Sequence, residues 1–368
     1  MTVQDQILSQ APAAPKSGGY LFSPIIDFLS LGGLTIFLLP LAWLPVSPQV
    51  ISGSIIFMVS TYFINAPHFL STYQIYYRGF RRKAFHRELS RTFRLRYLFA
   101  GVLFPAALTV FILFAMTRPD PRMLGYVGNL LVFLVVLHYT KQAYGILIID
   151  SIYKKRYLEN FEKQIFRYNA LICWIFFWTT ANSYFLVGGY DKIVYHAIPL
   201  SPVFLGCMTL AAICGVAAIL FVIVRRLWLR QKLPVMGIII YLITIYIWQF
   251  GMFDPILVLI VPALHSIQYD VVVARYELNR QSAIEGSRFS VRTRVFAFAG
   301  FSLFLGWLAF HLGPTLLDNH VGYDKAIFGT VMFAFIFHMF INVHHFVMDG
   351  VIWHHTNPET AKFLFKRD

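Results

Sequence analysis

Apolar runs of about 20 residues, each long enough to cross a hydrocarbon core of about 30 Å as an α-helix, follow one another from Leu21 to Ile352. Most lack the polar face that a helix of a soluble protein keeps toward water. Ten stretches fit: 22–46, 51–77, 97–117, 123–150, 167–188, 203–224, 234–253, 255–275, 295–317 and 326–352. The predicted fold is all-α, a polytopic transmembrane helical bundle. The stretches form one membrane domain over residues 21–353, with a flexible N-terminal tail (1–20) and a cytoplasmic C-terminal tail (354–368). The connection from Gly188 to Pro202 has room for a short interfacial helix.

The connections between stretches are not equivalent. Those after even-numbered stretches are basic: "RGFRRKAFHRELSRTFRLR" alone carries eight Lys or Arg. Together with Lys16 and the C-terminal tail, that side collects 26 of the 31 cationic residues. Connections after odd stretches hold only Arg118, Arg122, Lys192 and Lys325. The positive-inside rule therefore predicts that both termini are cytoplasmic, in a multi-pass protein of the cell's inner (plasma) membrane. The net charge of +14 is then a match to anionic headgroups of the bilayer and not to nucleic acid. Cys173, Cys207 and Cys214 all lie in apolar stretches without ligand spacing and read as small buried hydrophobes.

Against this apolar background the last stretch stands out. "HMFINVHHFVMDGVIWHH" (338–355) holds five histidines, an asparagine and an aspartate. Three other even stretches carry similar cargo: "NAPHFLSTYQIYYR", "LHYTKQAYGILIID" and "PALHSIQYDVVVAR". His68, His265 and His345 each lie ten residues before the polar border of their stretch, and His138 lies twelve before. Ten to twelve residues are about 15–18 Å of helix, so all four are expected at one depth in the bilayer. The sixth stretch has no histidine and is expected to lie outside the site. Ionisable groups at such depth are costly and by default mark function.

Helical spacing groups the neighbours. His338, Asn342, His345 and Asp349 form one stripe, while His344 points about 100° away. Asn65 and Thr72 share a face with His68, Gln268 and Tyr269 with His265, and Lys141 and Gln142 with His138. Imidazoles converging from four helices suit iron, zinc or copper, with Asp349 or Asp270 as a further ligand or hydrogen-bond acceptor. Asn65, Gln268 and Asn342 are candidates to orient the ligands, and His338 and His344 are alternative ligands. Lys141 would be repelled by a metal one turn away unless it pairs with Asp270 or Asp349, or meets an anionic group of a substrate. Tyr73, Tyr144, Tyr269 and Gln142 are candidates to surround that substrate. Asp27, in "DFLSLGG", offers a further polar wall.

The segments "APHFLSTY", "LHYTKQAYG" and "PALHSIQYD" resemble the histidine segments of the Brp/Blh family of membrane carotenoid-cleaving oxygenases. That resemblance implies an all-helical membrane protein with iron held by intramembrane histidines and cleavage of β-carotene to retinal. It would make His68, His138 and His265 iron ligands. The chain departs from the family at "PHFLST", where a PHG-type segment followed by Asp is expected, and "HHFVMDGVIW" has no counterpart. The expectation is thus a membrane metalloenzyme, most simply with iron, oxidising or cleaving a lipid or isoprenoid-like substrate with dioxygen. Two other readings remain open: a metal-independent transferase acting on an anionic lipid, with a His–Asp pair as base, and a proton-coupled transporter.

Overall fold

The computed structural model describes residues 19–40, 58–184, 189–251, 253–254, 256–354 and 356–365. The greater part of the predicted N-terminal tail, the facing ends of the first two predicted stretches, His355 and the last three residues lie outside these.

Among the described residues, helices occur within each of the ten predicted stretches. In chain order they are α1 (Pro24–Leu38), α2 (58–77), short α3 (Phe80–Phe85), α4 (Arg91–Met116), α5 (Arg122–Tyr153), α6 (Asn160–Tyr184), α7 (Pro202–Trp228), α8 (Val235–Gly251), α9 (Leu257–Ser282) and α10 (Val291–His320). Then come one-turn α11 (Lys325–Phe328), α12 (Met332–Ile352) and the C-terminal turns α13 (358–365). Among the described residues, six are long and apolar enough to cross a membrane: α4, α5, α7, α9, α10 and α12. These mark a membrane protein. The expected interfacial helix between Gly188 and Pro202 is replaced by an antiparallel pair of two-residue strands, Gly189–Tyr190 and Ile193–Val194, followed by extended chain. Asp191, at a positive φ of 55°, helps close the tight turn between the two strands.

Four helices, α2, α5, α9 and α12, pack around the centre of the molecule. α1 lies against α9, α10 against α2, and α4 against α12. The α6–α7 pair covers the far side of α5, with Phe166, Cys173, Phe177, Ile219 and Val222 filling that contact. Among the described residues, the outer face of α7 is left exposed, with Leu210, Ile213, Phe221 and Val224 on it. Cys207 and Cys214 lie on it and are exposed, so only Cys173 is the buried small hydrophobe that was expected of all three. The reason is position: a peripheral helix buries one stripe and gives the rest to lipid. Close packing of α10 on α2 uses Gly306, where an added Cβ would come within 3.1 Å of the Ala66 backbone.

At the basic end, Glu277, Glu162 and Glu359 hold cations. Glu277 meets Arg78 (2.7 Å) and Arg280 (3.1 Å), and Glu162 meets Arg226 (2.6 Å). Lys83 is buried beside Glu359 (2.9 Å). Burial lowers the pKa of its ammonium below the ordinary lysine value, with Glu359 opposing that shift. Asp27 does not form a polar wall toward the centre. Its carboxylate turns back and accepts the backbone N–H groups of Leu21, Phe22 and Ser23 at the start of α1.

Candidate metal centre

His68 on α2, His138 on α5, His265 on α9 and His345 on α12 meet in the middle of the four-helix core, each at most 7% exposed. Their rings form a closed circuit. Centroids are 5.3 Å apart for His68–His265, 4.8 Å for His265–His138, 5.1 Å for His138–His345 and 5.0 Å for His345–His68. Imidazoles sharing one ion about 2.1 Å from each nitrogen would put neighbouring centroids roughly 4.5–5.2 Å apart. The circuit matches that spacing closely.

The hydrogen-bond inventory points the same way. Buried polar atoms are almost always paired, yet Nε2 of His68, Nε2 of His138, both ring nitrogens of His265 and of His345, and Oδ2 of Asp349 have no hydrogen-bond partner. His68 shows how the chain aims one of these nitrogens. Its Nδ1 lies 2.5 Å from the carbonyl oxygen of Asn65, which can only accept, so Nδ1 carries the proton and Nε2 presents a lone pair. Ser266, next to His265, completes the brace: its Oγ is 2.9 Å from the same Nδ1 and donates to Asn65 Oδ1 at 2.8 Å.

Asp349 is held by one oxygen and leaves the other free. Thr72 (3.2 Å) and Tyr269 (3.1 Å) donate to Oδ1. Oδ2 faces Nε2 of His345 at 3.5 Å and Nε2 of His138 at 3.7 Å. Donor atoms of His68, His265 and His345 lie within 4.8 Å of one another, as do those of His138, His345 and Asp349. Four imidazoles and a carboxylate, with no thiolate, form a donor set for iron, zinc or copper. Phe69 beside His345 (4.9 Å), Phe346 beside His138 (4.7 Å) and Tyr139 beside His265 (4.4 Å) give the centre aromatic walls.

Other residues singled out in the sequence have different surroundings. His344 turns away: its Nε2–H donates to Ala100 O and its Nδ1 accepts from the Tyr73 hydroxyl, both at 2.8 Å. Both ring nitrogens are thus used, and Tyr73 is tied to His344. Gln268 and Gln142 pair with each other (2.8 Å), and Gln268 also donates to Leu31 O, so Gln268 joins α9 to α1 and orients no histidine ring. Asn342 donates to His338 O in its own helix (2.7 Å). His338 is half-buried against Phe310, apart from the circuit. Tyr144 packs in the α5–α6–α8 cluster. Lys141 is exposed, and neither it nor half-buried Asp270 forms an ion pair among the described residues. Asn65 holds His68 through its backbone carbonyl, which no side-chain pattern announces, while its side-chain oxygen takes the Ser266 hydroxyl. Ser266 was missed as well; its signal was a small hydroxyl directly after a histidine in an apolar run.

No protein-family model, curated protein or solved structure matches the chain.

Proposed function

We propose that this chain is an integral membrane metalloenzyme of ten spans with both termini cytoplasmic. His68, His138, His265 and His345 hold one metal ion, with Asp349 beside them, and the enzyme oxidises or cleaves a lipophilic substrate using dioxygen. The observation that carries this reading is the closed circuit of four buried histidines whose inward nitrogens have no other partner. Polar atoms left bare in an apolar interior cost free energy that a metal would recover. The donors admit iron, zinc or copper; zinc has no redox chemistry to offer dioxygen, and the resemblance to the Brp/Blh oxygenases favours iron over copper. Bound there with positions left open, iron would supply activation of dioxygen.

The chain's own residues do the rest. The Asn65 carbonyl fixes the His68 tautomer, and Thr72 and Tyr269 hold Asp349 so that one oxygen stays directed at His138 and His345. Phe69, Tyr139 and Phe346 exclude water and favour an apolar substrate such as a lipid or isoprenoid.

The test is elemental analysis of protein purified in mild detergent without chelator, beside a His138→Ala variant shown by circular dichroism to be folded. About one iron, zinc or copper per chain is expected, with loss in the variant. A folded wild-type protein that takes up none of the three, or a variant with full occupancy, would overturn the proposal. The buried His345–Asp349 pair would then be left as a general base for metal-free chemistry.

A further inference from the structure

Two cavities on the outside of the bundle, neither lined by a histidine, adjoin through a shared residue, Ile239 of α8. The first, about 610 Å³, opens at the basic end of the molecule, where α5 ends and α1 and α8 begin. Lys154, Lys155 and Arg156 line it together with Tyr20 and Phe28. The second, about 510 Å³, continues between α1, α7 and α8, and is lined by Ile36, Ile219, Ile223, Ile243 and Ile247 among other apolar side chains. Both volumes fall in the roughly 300–1,000 Å³ range of small-molecule sites. From Val235 at the mouth to Ile247, the path follows twelve residues of α8, about 18 Å at 1.5 Å per residue. A cationic mouth leading to an apolar channel of that depth is the profile of a lipid.

Two of the three charges at the mouth are open for use. Lys154 is held by Asp150 at 2.6 Å, and Asp27 on α1 is consumed by backbone N–H groups. Among the described residues, Lys155 and Arg156 have no acidic partner. Lys155 is exposed at a left-handed position (φ 55°) that turns the chain out of α5, and Arg156 is fixed beside it by donating to Leu233 O at 2.9 Å. Basic residues at the end of a membrane helix attract anionic headgroups.

We propose that this composite cavity binds one anionic glycerophospholipid of the adjoining leaflet. The phosphate lies against Lys155 and Arg156, and one acyl chain runs along Ile239, Ile243 and Ile247. This rests on the membrane reading and not on the metal, and metal content measured on the same sample makes the two fail separately.

The experiment is native mass spectrometry of the full chain in mild non-ionic detergent. The chain is titrated with phosphatidylglycerol and with phosphatidylcholine of the same acyl chains. Phosphatidylglycerol is expected to bind about tenfold more tightly, and Lys155→Gln and Arg156→Gln each to weaken it about fivefold. Ile239→Trp, which narrows the channel without touching a charge, is expected to weaken both lipids, and soluble glycerol phosphate is expected not to displace them. Thermal shift in the same detergent identifies any variant that has lost its fold. Equal affinity for the two lipids, or folded variants that all bind as wild type, would overturn the proposal. Displacement by glycerol phosphate would reduce the site to an ion site and also overturn it. So would binding seen only after removal of residues 1–18, because the cavity would then seat the chain's own start.

Discussion

His344 and His345 are neighbours in sequence with opposite fates. One residue step turns a helix by about 100°, which sends His345 into the circuit and His344 toward α4. His344 has both nitrogens satisfied, by Ala100 O and by Tyr73. His345 has neither nitrogen satisfied. A His344→Phe variant should therefore keep its metal but lose about 1–3 kcal/mol of stability, the cost of leaving a buried carbonyl and hydroxyl unpaired. His345→Ala should lose the metal. Metal analysis and thermal unfolding of both variants check this, and loss of metal from His344→Phe with retention in His345→Ala would reverse the assignment of the two residues.

At the level of elements, a recurrent device is the π-helical turn. Such turns occur at Leu29–Gly33 in α1, Ser60–Asn65 in α2 and Phe99–Leu103 in α4. In each, a backbone carbonyl receives a hydrogen bond from a polar side chain. Leu31 O accepts from Gln268, Asn65 O from His68, and Ala100 O from His344. Loosened turns are frequent at functional sites, and inside a bilayer the freed carbonyls must find partners within the protein. The α1 turn depends on Gly32, whose φ of 144° is closed to residues with a Cβ, although nothing lies nearer than 3.5 Å to where that atom would sit. Gly32→Ala should thus cost about 1–3 kcal/mol through backbone strain while leaving metal content unchanged. Thermal unfolding beside elemental analysis measures both, and an unchanged midpoint would show that the turn does not need glycine.

For the molecule as a whole, the asymmetry of charge carries a prediction about orientation. Ser287 lies in a basic connection and is exposed, and Gly322 lies on the opposite side with open space around it. In a background lacking Cys207 and Cys214, a cysteine at Gly322 should react with a membrane-impermeant thiol reagent in intact cells. A cysteine at Ser287 should react only after permeabilisation. The reverse pattern would place the basic connections outside and remove the cytoplasmic assignment of the termini.

The sequence by itself determined the helical, membrane-embedded character of the chain, because apolar runs of spanning length need no tertiary context to be read. It also singled out His68, His138, His265 and His345, since a helix converts residue count into depth and polar groups at one depth are conspicuous among Ile, Leu and Phe. Partnership lay beyond it. That Lys141 faces outward, that Gln268 ties α9 to α1, that Ser266 and the Asn65 backbone brace His68, and that Cys207 and Cys214 are exposed all depend on which helix lies beside which. Periodicity gives the faces of a helix but not its neighbours. Only the packing of α2, α5, α9 and α12 decided which polar groups found partners and which nitrogens were left facing one another.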